Sequence, residues 1–181
     1  MKNGFTLIEL MVALSLFIVV MTISMGSIVG VFDANRKSKT LKIALTNLNL
    51  AVESMSKEMR FGTRYHCETD PNALPPFTTP QNCAGPIPGR LVSFLSSGGV
   101  QITYRLNNQI IEKQVGAGGY IAATAPEIIV DNLTFYTLGA ESGNTFQPKV
   151  VIKIQGHAGT TGKSRSDFTL QTLVSQRVLD R

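Results

Sequence analysis

Hydrophobic and polar positions change rhythm several times along this chain. From Leu10 through Phe32 no residue carries a charge and the run is almost wholly apolar. Between Leu41 and Met59 the apolar residues Leu41, Leu45, Leu48, Val52, Met55 and Met59 recur at alternating spacings of four and three. That is the narrow stripe of an amphipathic helix. Lys42, Asn47, Asn49, Glu53 and Lys57 occupy its other faces. Glu53 precedes Lys57 by one turn, the favourable orientation for a helical ion pair. Gly62, following Arg60 and Phe61, is a suitable stop. One helix from Phe5 to Phe61 would be ~85 Å long at the usual rise per residue.

From Gly62 to Gly89 the composition shifts to Pro, Thr, Asn and Gly. The stretch reads as an irregular loop, too rich in proline for central strands. After Arg90 the period becomes two. Leu91–Ser96, Val100–Leu106 and Gln109–Val115 read as strands, separated by Gly98-Gly99 and Asn107-Asn108. Both dipeptides tolerate positive φ and suit tight hairpins. Val100, Ile102, Tyr104 and Leu106 share one face, with Gln101, Thr103 and Arg105 on the other, as in a meander with one buried side. Ile128–Leu138, Lys149–Gln155 and Asp167–Ser175 read as further strands.

The expected fold is α+β: a long N-terminal helix, membrane-spanning then amphipathic, whose second half packs on an antiparallel sheet. The expected divisions are a leader at 1–4, a transmembrane and assembly helix at 5–33, and an amphipathic half at 34–61. A sheet domain follows at 62–181, with its Pro-rich loop at 67–89.

The apolar run exceeds the roughly 20 residues needed to cross a bilayer. It is too long for the apolar part of a secretory signal peptide, and no Ala-x-Ala site follows it. An uncleaved signal anchor fits the hydropathy but leaves Glu9 unexplained. An acid at bilayer depth costs ~2.5–3.5 kcal/mol even on lenient insertion scales, so it marks a functional position that needs a partner.

Gly4-Phe5-Thr6-Leu7-Ile8-Glu9 resembles the processing site of type IV pilins and the related pseudopilins. The resemblance is strongest over residues 1–32. It implies that a membrane peptidase, the prepilin peptidase, cuts after Gly4 and methylates the new terminus, Phe5. Glu9, one turn from that amine, could neutralise its own terminus, or, as the resemblance implies, that of a neighbouring subunit. Pairing two charges that would otherwise be alone in lipid sets a register strongly. The implied partners are other pilin or pseudopilin subunits, the peptidase, the membrane and, indirectly, an assembly platform with its cytoplasmic motor ATPase. The implied location is the bacterial inner membrane, single-pass with an exported C-terminal domain, and then a filament. The sequence departs from the many pilins that carry a proline late in the apolar helix. Gly26 and Gly30, with Ser24 and Ser27, stand there instead. They suit either local melting or close helix packing. Leu50–Arg60 and Leu170–Arg177 are similar to segments of the J-type minor pseudopilins of type II secretion.

The chain has 181 residues, a net charge of +5 and a charged fraction of 16 %, too low for a polybasic nucleic-acid binder. Nucleic acid is therefore not an expected partner. Arg36, Lys37, Lys39 and Lys42 cluster just past the apolar run and outnumber Lys2 before it. That opposes the positive-inside tendency for an exported C-terminal part. A solvated helix face, lipid head groups or acidic neighbours could each accommodate them.

Cys67 and Cys83 read as one disulfide in an exported chain. It closes a loop of about 15 residues, worth ~3 kcal/mol in the entropy model. A metal site using His66, Cys67, Cys83 and His157 lacks the paired close ligands of structural zinc. Gly156–Ser164 imitates a phosphate loop but lacks its leading glycine and is followed by a strand pattern, not a helix. It reads as a glycine-rich hairpin loop. Gly116-Ala117-Gly118 does not extend to a dinucleotide fingerprint, since Ile121 stands at the third glycine. No nucleophile has a base near it in sequence. The expectation is a non-enzymatic protein without a cofactor: a structural filament subunit, or alternatively a tip-exposed adhesion or DNA-uptake subunit whose loop offers His157, Lys163 and Arg165.

Overall fold

The computed structural model describes residues 4, 6–143, 146–159 and 165–177. A long helix, α1, runs from Leu7 to Arg60. Eight strands follow among the described residues: β1 (Thr63–Glu68), β2 (Leu91–Leu95), β3 (Gln101–Asn107), β4 (Ile110–Val115), β5 (Ile121–Ala122), β6 (Ile128–Leu138), β7 (Lys149–Ala158) and β8 (Ser166–Ser175). They form two antiparallel sheets, β1-β2-β3-β4-β5 and β6-β7-β8.

The helix starts where Thr6 caps it and stops at Phe61. It stays helical through Gly26 and Gly30, and a Cβ at either would meet nothing within 4 Å. The hydroxyls in this segment bond back to the helix: Thr22 donates to Ile18 O at 2.7 Å and Ser24 to Val20 O at 2.8 Å. They therefore need no partner from the lipid. Ala44, Leu48, Val52, Met55 and Met59 are buried. Leu41 and Leu45 are half-buried, so Ala44 joins the stripe. Glu53 and Lys57 form no ion pair among the described residues. The acid that matters is Glu58, which accepts from the Tyr104 hydroxyl at 2.6 Å and pairs with Lys113.

This latch carries a prediction. Burial first, then the hydrogen bond and charge of Glu58, raise the Tyr104 hydroxyl far above a tyrosine's ordinary range. A raised value means the folded state holds the proton. Its stabilisation is therefore complete below about pH 10 and falls away above it. Tyr104→Phe is expected to cost about 1–2 kcal/mol at neutral pH and to flatten the alkaline limb. Urea titrations of the detergent-solubilised chain at pH 7.5 and above pH 10 check both.

Gly62 ends the helix region for a reason of packing. A Cβ there would sit 2.4 Å from the Phe94 ring. Its N–H bonds to Met59 O, and Arg177 N–H bonds to Arg60 O, so the last helical carbonyls are satisfied by the chain around them.

The stretch read as an irregular loop from Gly62 begins instead with β1. The prolines start only at Pro71, leaving Tyr65 and Cys67 free to alternate inward, where both are buried. Arg64, at φ +54°, forms the bulge that starts this edge strand. The rest of the stretch joins the two sheets. Gln81 lies beside β1, while Cys83 and Gly89 exchange backbone bonds with Thr137 and Phe135 of β6.

The same stretch covers what the alternation suggested was a solvated face of the meander. Gln101 clamps the backbone of Phe77 through both ends of its amide, and Phe77 stacks on His66 at 4.4 Å. Ser93 and Thr103 are consequently buried and bond to each other. The β3–β4 turn places positive φ at Asn108 and Gln109, one residue later than the Asn107-Asn108 dipeptide suggested. The strand read as ending at Gln155 continues through Gly156, His157 and Ala158. Gly156 is glycine because a Cβ would lie 2.3 Å from Ile129 O.

Candidate functional site

The candidate site is the head of α1. An N-terminal helix turn exposes N–H groups that need acceptors, and Thr6 and Glu9 answer this reciprocally. Glu9 N–H donates to Thr6 Oγ1 at 3.4 Å. Thr6 N–H and hydroxyl donate to Glu9 Oε2 at 3.1 and 2.9 Å. This capping box was legible as Thr-x-x-Glu before an apolar run, but reading Glu9 only as a partner for the Phe5 amine passes over Thr6. Both bonds fall on Oε2, leaving Oε1 without a partner among the described residues. Gly4 is exposed, and a Cβ there would meet nothing within 4 Å. Phe5 lies outside the described residues.

Every residue from Thr6 to Lys39 is exposed. The apolar window within α1 has a mean hydropathy of 2.4, and none of it is buried. Leu7, Leu10, Leu14, Phe17 and Met25 keep between 55 % and 80 % of their surface. An apolar cylinder bare on all sides requires a bilayer or neighbouring apolar helices. Cover by the sheets begins only around Thr40 and Leu41.

The cysteines lie far from this head, where the two sheets join. Cys67 on β1 is bonded to Cys83, with 5.6 Å between their Cα atoms. His66 points its Nδ1 at Thr79 O, 2.7 Å away. His157 is within β7, 9 % exposed, with its Nδ1 2.9 Å from Asp131 Oδ2. Arg165 pairs with Asp167 at 2.9 Å. Lys163 lies outside the described residues. Among those residues no group of three or more His, Cys, Asp or Glu could hold a metal ion.

Residues 1–25 match the family model described as the prokaryotic N-terminal methylation motif. No curated protein and no solved structure matches the chain. The motif and the bare apolar helix together support a type IV pilin-like protein anchored in a membrane.

Proposed function

We propose that this chain is a minor pilin or pseudopilin, a structural subunit of a type II secretion or type IV pilus filament. It is made as a precursor, cut after Gly4 and methylated on Phe5 by a prepilin peptidase. It waits in the bacterial inner membrane with its sheets exported, and then enters the filament through α1. The observation that carries the reading is the methylation motif at the head of a helix left bare over its first half and covered along one face over its second.

The chemistry at the head supports it. Cleavage creates a cation at Phe5 where a peptide bond had been. In lipid or a helix bundle that cation needs an acid. Glu9 Oε1 is such an acid, since the cap is held by Oε2 alone. A neighbouring subunit's amine can use Oε1 while Thr6 keeps the helix start in place. The likeness of Leu50–Arg60 and Leu170–Arg177 to the J-type group favours a minor component that helps begin a filament.

The test is co-expression of the full chain with a prepilin peptidase and intact-mass analysis of the membrane fraction. The product should begin at Phe5 with one added methyl group, and Gly4→Val should retain residues 1–4. An unprocessed wild-type chain in the presence of an active peptidase would refute the processing step. Glu9→Ala should be cut normally but recovered with filament partners far less. Unchanged recovery would remove Glu9 from assembly.

A further inference from the structure

Arg36, Lys37, Lys39 and Lys42 all sit on α1 and are exposed. None is in an ion pair among the described residues. Three cations elsewhere in the chain do find an acid: Lys113 pairs with Glu58, Arg105 with Glu112 and Arg165 with Asp167. Successive residues of a helix turn by 100°, so the four spread around the cylinder rather than lining one solvated stripe. The acid nearest in sequence, Asp33, lies one turn before Arg36 and Lys37 and offsets a single charge.

Their height is as telling as their sign. The uncharged run ends at Phe32, and the sheets begin to cover the helix around Thr40. At the helical rise the four cations lie roughly 6–15 Å beyond Phe32. The polar layer of a bilayer extends roughly 5–8 Å past each face of its hydrocarbon core, and long basic side chains reach back toward it. Arg36, Lys37 and Lys39 are therefore within reach of head groups, and Lys42 stands at the rim. A cluster of this sign on the exported side works against insertion in the required orientation, so a bare solvated face does not explain it.

We propose that these four residues form a collar that binds anionic phospholipid head groups of the exported-side leaflet. The collar fixes the height of the sheets above the membrane before assembly. The inference rests on the membrane-spanning reading of α1. The phosphodiester of an anionic lipid supplies the countercharge that the chain itself withholds. Each cation near such a surface is worth roughly a fivefold preference, weakened by salt.

The experiment uses the full chain in mixed micelles containing equal phosphatidylglycerol and phosphatidylcholine, with retained lipids counted by native mass spectrometry. Wild type should keep phosphatidylglycerol at least about fivefold over phosphatidylcholine. The variant Arg36→Gln/Lys37→Gln/Lys39→Gln/Lys42→Gln should keep the two equally. Arg36→Lys, which preserves charge, should behave as wild type and controls for folding. Added inorganic phosphate at the same ionic strength as chloride should compete no better than chloride, since the site is built for a lipid surface.

Equal retention by wild type, or an unchanged preference in the fourfold variant, overturns the proposal. Loss of self-association in that variant without any lipid preference in wild type also overturns it, and assigns the collar to a neighbouring subunit. Carbonate extraction of membranes separates the two readings. A chain that resists extraction but shows no lipid preference sinks only the collar, whereas a chain that is extracted sinks the membrane-spanning helix itself.

Discussion

Gly89→Ala is expected to destabilise the sheets by about 3 kcal/mol, the upper end of overpacking costs. A Cβ at this position would lie 2.1 Å from Cys67 Sγ and 2.9 Å from Cys83 Sγ. The backbone cannot retreat, because Gly89 N–H donates to Phe135 O and Gly89 O accepts from Phe135 N–H. Arg90 N–H also holds the next residue to Glu68 O. The clash therefore falls on the seam between the two sheets, where β1, the disulfide and β6 meet. Sulfur is the specific cause, which a double-mutant cycle can isolate. In a Cys67→Ala/Cys83→Ala background both sulfurs are gone, and the next atom out, Glu68 O, lies at 3.3 Å. There the added cost of Gly89→Ala should fall below about 1 kcal/mol. Urea unfolding of the detergent-solubilised chain measures the four corners. Thiol titration gives an independent reading, since Gly89→Ala should raise the fraction of chains with reduced Cys67 and Cys83. Full additivity with no free thiol would show that the glycine serves another purpose.

Local periodicity is what the sequence displays well, and the parts of the fold that depend on it were legible. The stripe Leu48, Val52, Met55 and Met59 is buried, and β6 spans Ile128–Leu138 as its alternation suggested. Ala44 was missed because a small residue contributes little to an apolar count, though a close helix–sheet contact needs one. β1 was hidden by the prolines after it: Tyr65 and Cys67 alternate over too few residues to stand apart from a Pro-rich stretch. The covered second face of the meander could not be read at all. Gln101 and Thr103 look like solvent positions until Phe77 and His66 are folded onto them.

The same division holds for chemistry. Gly4 and Glu9 stand out because their setting is contiguous in sequence. His157 looked available because it stands in a glycine-rich stretch, yet Asp131 reaches it from another strand. Glu58 has nothing in its local sequence, beside Lys57 on the helix, to single it out. Its partners Tyr104 and Lys113 are distant in sequence and meet it only across the helix–sheet contact. Glycine roles divide likewise. Gly62, Gly89 and Gly156 are fixed by what lies against them in space, which no dipeptide rule reveals.

Two leucines two positions apart on α1 should respond in opposite ways. Leu48 is fully buried, whereas Leu50 retains 61 % of its surface. Leu48→Ala removes a side chain from the contact between the helix and the sheets, and should lower stability by about 2–5 kcal/mol, according to how far the cavity collapses. Leu50→Ala removes atoms that touch little within the chain and should change stability by less than about 0.5 kcal/mol. Cooperative urea unfolding of the two variants, in the same detergent, gives the comparison directly. The exposed leucine is then the informative one. With Ile43, which is 48 % exposed and two turns earlier, it carries an apolar line down the helix past the point where the sheets begin to cover the other side. A chain that served only as a membrane anchor would have no use for that line, because both positions lie beyond the bilayer. A subunit that packs helix against helix would. Leu50→Ala combined with Ile43→Ala should therefore leave unfolding unchanged and reduce recovery with filament partners. A large loss of stability in that pair would instead mean that the face is covered within the chain, and the case for a second half built to meet neighbours would fail.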